Sequence, residues 1–132
     1  MKAIQSQPKH RTHPPDVSLF DCDIGIGESG LGHRDLNDPD ELCAILDHYG
    51  VAESLVYDMH DVETGRFDFP SRLLEFCAKS NRLHPSAPIA PPDTREQAPP
   101  EEFVEKLIAS GVRAVRAMYR WPMGWTEKKP TE

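Results

Sequence analysis

Apolar residues along this chain follow two alternating periodicities, one typical of buried strands and one typical of amphipathic helices. Short apolar runs that each predict a strand occur at residues 17–24, 54–59, 86–90 and 112–119. Between these runs, apolar residues recur every three or four positions, which predicts helices. Such alternation favours right-handed crossovers between parallel strands. We therefore predict an α/β fold with a parallel sheet of about four strands in βαβαβαβ order.

The clearest helix is predicted by DPDELCAILDHYG, residues 38–50. Asp38 is a suitable N-cap, Pro39 suits the first helical position, Glu41 completes a capping box and Gly50 suits the terminator. The stripe expected to pack on the sheet consists of Leu42, Ile45, Leu46 and Tyr49.

Two more helices are predicted by the same spacing. One covers residues 70–80, and the other begins behind Pro99 and Pro100 and stops at Gly111. The side chains that we expect these helices to bury are Leu73, Phe76, Cys77, Phe103, Val104, Leu107 and Ile108.

Length and charge narrow the class of protein. The chain has 132 residues, enough for one domain with a hydrophobic core. Its 22 acidic and 15 basic residues give a net charge of −7, which argues against nucleic acid as a partner. No run has the apolar length of a signal peptide or a membrane span, so we expect no membrane partner and a cytoplasmic protein.

The sequence indicates no functional site at the ends of the chain or at its cysteines. Residues 1–16 are predicted to be a disordered leader and residues 126–132 a disordered tail, which leaves residues 17–125 as the α/β domain. The cysteines have no zinc-type spacing, and we expect reduced, buried thiols at Cys22, Cys43 and Cys77.

The segment DCDIGIGESG, residues 21–30, has the glycine spacing of a dinucleotide-binding loop. Such a loop works only when a helix begins inside it and directs its amino end at the pyrophosphate. Here the first helix is predicted to begin only at Pro39, so nucleotide binding stays a third hypothesis. We expect instead that Asp21, Asp23 and Gly25 alternate onto one face at the carboxyl end of the first strand, where parallel α/β folds build their sites.

Polar residues also follow the second strand, in YDMHD. His60 lies between Asp58 and Asp61, and neighbouring carboxylates would raise its proton affinity, which makes it the best acid/base candidate. The competing interpretation is a solvated loop.

The fourth strand supplies cationic and aromatic candidates. Arg113 and Arg116 need a partner if they are buried, and Asp23 or Asp58 could supply it, either as a structural pair or as an anchor for a substrate carboxylate. The residues that follow this strand and are expected at the same rim are Tyr119, Arg120 and Trp121.

The stretches LFDCDIGIG, DELCAILDHYGVAESLVY, NRLHPSAPIAPP and ASGVRAVRAMYRWPMGW resemble the amino-terminal portion of the amidohydrolase-related metal-dependent hydrolases, a family that includes decarboxylases. The resemblance covers residues 18–125 and implies the first half of a (β/α)8 barrel. In the family the first strand ends in Asp-x-His-x-His, whose imidazoles hold a divalent metal such as zinc. Here Asp21, Asp23 and Gly25 stand at those positions, so the resemblance implies a degenerate site without metal ligands.

From these observations we assign roles as hypotheses. The catalytic candidates are Asp23 and His60, and the substrate-binding candidates are Asp58, Arg116, Tyr119, Arg120 and Trp121. The expected partner is a small molecule, with no cofactor. An eight-stranded barrel needs about 250 residues, so the chain is compatible with a truncated product of a longer gene, a half-barrel that pairs with itself or another chain, or a small independent domain. The alternative to a hydrolase is a non-catalytic binding or assembly module that forms a half-barrel oligomer.

Overall fold

The computed structural model describes residues 16–28, 35–64, 67–90 and 97–117. Within them the strands are β1 (Leu19–Ile26), β2 (Val51–Asp58), β3 (Leu83–Ile89) and β4 (Ala114–Ala117). The helices are α1 (Pro39–Tyr49), α2 (Met59–Thr64), α3 (Ser71–Cys77) and α4 (Pro100–Ala109). The predictions for the leader before residue 16, for the tail and for Tyr119, Arg120 and Trp121 lie outside the described residues.

The four strands form one sheet in the order β1-β2-β3-β4, and every pairing is parallel. The sheet curls into a half-barrel whose strands alternate with helices. The predicted α/β class and βαβαβαβ order are therefore confirmed. Because parallel neighbours direct their carboxyl ends to the same rim, the ends of β1, β2 and β4 lie on one side of the molecule.

Helix α1 begins and ends as predicted. The Asp38 carboxylate accepts a hydrogen bond of 3.0 Å from the Asp40 N–H, and Gly50 closes the helix in the left-handed region at φ 71°. Leu42 and Leu46 are buried, whereas Tyr49 is 62% exposed, so its predicted burial is wrong. Tyr49 lies in the last turn, where its ring packs edge-on against His48 instead of the sheet.

Two apolar clusters form the core. The larger packs α1 and α3 on the first three strands and contains Ile26, Leu42, Leu46, Val56, Leu73, Cys77 and Leu83. The smaller places Phe103 and Leu107 of α4 against Ala87 and Val112. Val104 and Ile108 are exposed, which corrects the prediction for α4, because only a narrow stripe of this helix meets the sheet.

β1 ends later, and β3 begins earlier, than the sequence predicted. β1 extends to Ile26, so Gly25 lies inside the strand, and Gly27, at φ 89°, forms the exit. The Gly27 N–H donates a hydrogen bond of 2.7 Å to the Leu36 carbonyl, which returns the chain towards α1. β3 begins at Leu83 and contains two prolines; its first three residues pair with β2 and its last four with β4.

The three cysteines occupy different environments and are all free. Cys77 is buried, and desolvation raises the pKa of its thiol to about 12. Cys43 is half-buried. Cys22 is exposed, because it lies in an irregular part of an edge strand, so the prediction of three buried thiols is wrong at that position.

Candidate functional site

Successive strand residues project to opposite faces of the sheet, one covered by helices and one concave. Ile26, Val56 and Leu83 belong to the core beneath the helices. In β2, Leu55 and Tyr57 alternate with the buried Ser54, Val56 and Asp58 and therefore project to the concave face. A site at the rim of this concave face is therefore lined by residues such as Leu55 and Tyr57, which alternate with the buried ones.

An irregularity in β1 decides which of its acids reaches the concave face. The register of β1 against β2 shifts between Asp21 and Ile24, and Asp21 pairs with Ser54, whose side chain is buried. The Asp21 carboxylate accepts a hydrogen bond of 2.9 Å from the Asp23 N–H. The expectation that Asp21, Asp23 and Gly25 share one face is therefore wrong for Asp21, since the shift interrupts the alternation.

Asp23 and Arg116 form an ion pair that joins the two outer strands of the sheet. Asp23 Oδ1 lies 2.6 Å from Arg116 Nη1, and the guanidinium carbon of Arg116 lies 4.0 Å from the centre of the Tyr57 ring. In a flat sheet, strands three positions apart are separated by about 14 Å. The curl of the half-barrel therefore brings Asp23 of β1 and Arg116 of β4 together across the concave face. Of the two partners predicted for Arg116, the structure assigns Asp23.

Gly25 lies beside this cluster, and Met59 fills the space that a side chain there would need. A Cβ atom built on Gly25 would lie 2.5 Å from Met59 Cγ and 3.1 Å from Tyr57 Cζ. Glycine at this position permits close packing inside the strand.

Asp23 and Gly25 offer few ligand atoms for a divalent cation. At these positions, where the resembled hydrolases carry two imidazoles, Asp23 is paired with a cationic guanidinium and Gly25 has no side-chain ligand atom, with Met59 against it. Within the described ranges, no three His, Cys, Asp or Glu side chains are grouped so as to hold a metal ion.

Asp58 lies on the helix-covered side of the rim, not on the concave face. Its side chain is 4% exposed, its Oδ1 accepts a hydrogen bond of 2.9 Å from the His60 N–H at the start of α2, and its Oδ2 lies 3.5 Å from Arg72 Nε. Arg72 also donates a hydrogen bond of 3.3 Å to Asn37 before α1. These contacts tie α2, α3 and the segment before α1 to the end of β2.

His60 and Asp61 lie in the first turn of α2, where the sequence suggested either a catalytic group or a solvated loop. The His60 side chain is exposed and Asp61 is half-buried. Burial, followed by the charge of Asp58, raises the pKa of Asp61, while His60 opposes this shift. Met59, the residue before His60, packs beside Gly25 of β1.

Gln97 also shapes the rim, and no sequence pattern indicated it. Its Nε2 donates to the carbonyls of Phe67, at 3.1 Å, and Pro88, at 3.0 Å, while its Oε1 accepts a 2.8 Å hydrogen bond from the Ala90 N–H. One amide thus satisfies backbone groups from the end of β3 and from the segment before α3. An isolated Gln in a Pro-rich stretch carries no spacing signal.

A second charged pair lies on the concave face at the opposite, amino end of the strands. His84 Nε2 lies 2.5 Å from Glu53 Oε2, and the Phe20 ring stacks on His84 with centroids 5.8 Å apart. They line a groove of about 390 Å³ with Leu55, Pro85, Gly111, Arg113 and Ala114. In barrel folds, side chains at this end contribute to stability, whereas the carboxyl rim carries the chemistry.

Comparisons with protein-family models, with curated proteins and with solved structures find no match for this chain. None of the helices in the described segments is long and apolar enough to cross a bilayer.

Proposed function

We propose that this chain is an amidohydrolase-related protein, a degenerate member of that hydrolase and decarboxylase-like family, which binds a small molecule at the carboxyl rim of its half-barrel. The observation that carries the proposal is the convergence of Asp23, Tyr57 and Arg116 from three strands on the concave face. This is the rim at which barrel folds gather their functional side chains. We place the protein in the cytoplasm.

In this proposal, the positive charge of Arg116 replaces the positive charge that a bound metal ion would supply. A guanidinium next to Asp23 supplies a permanent positive charge at the end of β1, and the Tyr57 ring stabilises its position. Asp23 orients that cation, and His60 on the exposed side of α2 is the group that would exchange a proton with substrate. Tyr119, Arg120 and Trp121 follow β4 in sequence and are proposed to complete the binding side of the rim.

An activity screen tests this function. The protein is incubated with small esters, amides, lactones and carboxylic acids, with a chelator or with added Zn²⁺. We expect any turnover to be insensitive to both additions and to fall when His60→Gln or Asp23→Asn is introduced. Turnover that requires Zn²⁺ would contradict a metal-free rim, and turnover unchanged in both variants would contradict the assigned residues.

A specific observation supports the alternative, a non-catalytic assembly module that forms a half-barrel oligomer. In the described part of the chain, β4 pairs only with β3, and β1 pairs only with β2 apart from a single Gly27–Leu36 bridge. Phe20 on the concave face is 48% exposed. Two parallel half-sheets could pair through such edges. Light scattering after size exclusion tests this alternative, because it requires an oligomer, and a stable monomer at micromolar concentration would contradict it.

A further inference from the structure

We propose that the Asp23–Arg116 pair binds a small carboxylate that carries a hydroxyl or amino group on the carbon next to the carboxylate. This inference rests on the proposed function, since it names the substrate class of the same rim. It concerns two complementary groups, a cationic donor and an anionic acceptor, held side by side on the concave face.

The guanidinium of Arg116 is positioned before any ligand arrives. Nη1 meets Asp23 Oδ1 at 2.6 Å, and the guanidinium carbon lies 4.0 Å from the centre of the Tyr57 ring. A guanidinium has five N–H donors, and among the described residues the Asp23 carboxylate is the acceptor at its charged end. The side chain is 32% exposed, and in this proposal the ligand meets the guanidinium edge that Asp23 does not occupy. That edge has the planar fork that binds a carboxylate through two parallel hydrogen bonds.

Asp23 determines what else the ligand must carry. Its side chain is 65% exposed, and Oδ1 already faces Arg116, which leaves Oδ2 to accept a hydrogen bond. A carboxylate with no donor of its own would place two negative charges next to one guanidinium. A hydroxyl or ammonium one carbon away removes that conflict because it donates to Asp23 while the carboxylate meets Arg116.

The surroundings suit a small ligand. Gly25 projects no side chain, and Pro88, which pairs with Arg116 in the register of β3 and β4, is apolar. The other charged pair of the concave face, Glu53 and His84, lies at the opposite end of the strands and stacks on Phe20. It therefore offers a matched control that shares the face but not the rim.

A titration of the full chain tests the proposal. The probes are glycolate, which has both groups; acetate, which lacks the donor; and glycolamide, which lacks the charge. Binding is followed by calorimetry and by ¹H–¹⁵N shifts, including the Arg side-chain Nε–H signals. We expect glycolate to bind at least about tenfold more tightly than acetate or glycolamide, the factor of one charge-assisted hydrogen bond.

Variants assign the binding to the pair. Arg116→Gln should weaken glycolate about tenfold or more, and Asp23→Ala should remove the preference for glycolate over acetate while acetate still binds. Glu53→Gln should change neither affinity. If Arg116→Gln does not fold, Arg116→Lys, which keeps the charge but loses the planar fork, should still weaken glycolate.

Three results would overturn the inference: no binding of any probe, equal affinities for glycolate and acetate, or binding unaffected by the Arg116 variants. Its failure is distinguishable from failure of the proposed function. If glycolate binds through Arg116 but the protein shows no turnover, the binding site is supported and the enzymatic function is contradicted. If turnover is observed and is insensitive to Arg116→Gln and Arg116→Lys, the enzymatic function is supported and the binding site is contradicted.

Discussion

Different interactions stabilise the two faces of the sheet: apolar burial on one and ion pairs on the other. The helix-covered face packs the side chains of Ile26, Val56 and Leu83 against helices, away from water. The concave face instead carries two ion pairs, each with an aromatic ring: Asp23–Arg116 with Tyr57, and Glu53–His84 with Phe20. Apolar burial contributes about 25 cal/mol per Å², whereas partly exposed ion pairs contribute at most about 1 kcal/mol. Stability therefore resides beneath the helices, and the concave face can serve binding.

The largest effect is expected from the helix-covered face. Leu46→Ala removes a side chain that is 2% exposed and leaves a cavity between α1 and the sheet, so the free energy of unfolding should fall by about 2–5 kcal/mol. Urea denaturation measures this change. Ile108→Ala, on the exposed side of α4, is the control and should change stability by less than about 0.5 kcal/mol. Similar losses in both variants would contradict the assignment of the core.

An intermediate effect is expected where Met59 packs against the concave face at Gly25. Gly25→Ala places a methyl group 2.5 Å from Met59 Cγ, and overpacking of this kind costs about 1–3 kcal/mol. Met59→Ala in the same chain should recover most of that loss. A double-mutant cycle on the free energy of unfolding gives the coupling energy. Purely additive losses would mean that Met59 does not occupy this space.

A small effect is expected from either ion pair of the concave face. Asp23→Asn and Glu53→Gln should each lower the free energy of unfolding by at most about 1 kcal/mol, because both carboxylates are well exposed to water. The losses should shrink further in about 1 M salt, where the Debye length is about 3 Å. A loss as large as that of Leu46→Ala would show that the concave face contributes to the core.

The smallest effect should depend on pH. Because burial and Asp58 raise the pKa of Asp61 above 3.8, the folded state binds this proton more tightly than the unfolded state does. The free energy of unfolding of the wild type should therefore fall relative to that of Asp61→Asn as the pH rises from about 3.8. Near pH 7 the difference between the two should no longer change with pH. Unfolding at pH 3 and pH 7 measures it. A wild type that gains stability relative to Asp61→Asn between pH 3 and pH 7 would contradict this sign.

Local patterns predicted the elements well where local forces decide them. Asp38, Pro39 and Gly50 act within one turn of α1, so its bounds followed directly from the sequence. α2 was not predicted, because it begins with Asp58 capping the His60 N–H, in a segment without an apolar period. The prolines of β3 also concealed its first half, which pairs with β2 nonetheless.

The candidate site was only partly predictable. The sequence indicated that Arg116 needs a partner if it is buried, and it left both Asp23 and Asp58 as candidates. The structure separates these carboxylates: Asp58 lies beneath the helices with Arg72, and Asp23 faces Arg116. Glu53 and His84 were missed because residues 31 positions apart leave no spacing signal.

The sequence by itself determined the succession of strands and helices and hence the parallel α/β class, because hydrophobic periodicity and helix caps act over a few residues. Only the tertiary structure decided the register shift that removes Asp21 from the concave face and the curl that brings Asp23 to Arg116. Both depend on how strands distant in sequence pair and bend. No local pattern encodes a contact between the first and last strands of a sheet.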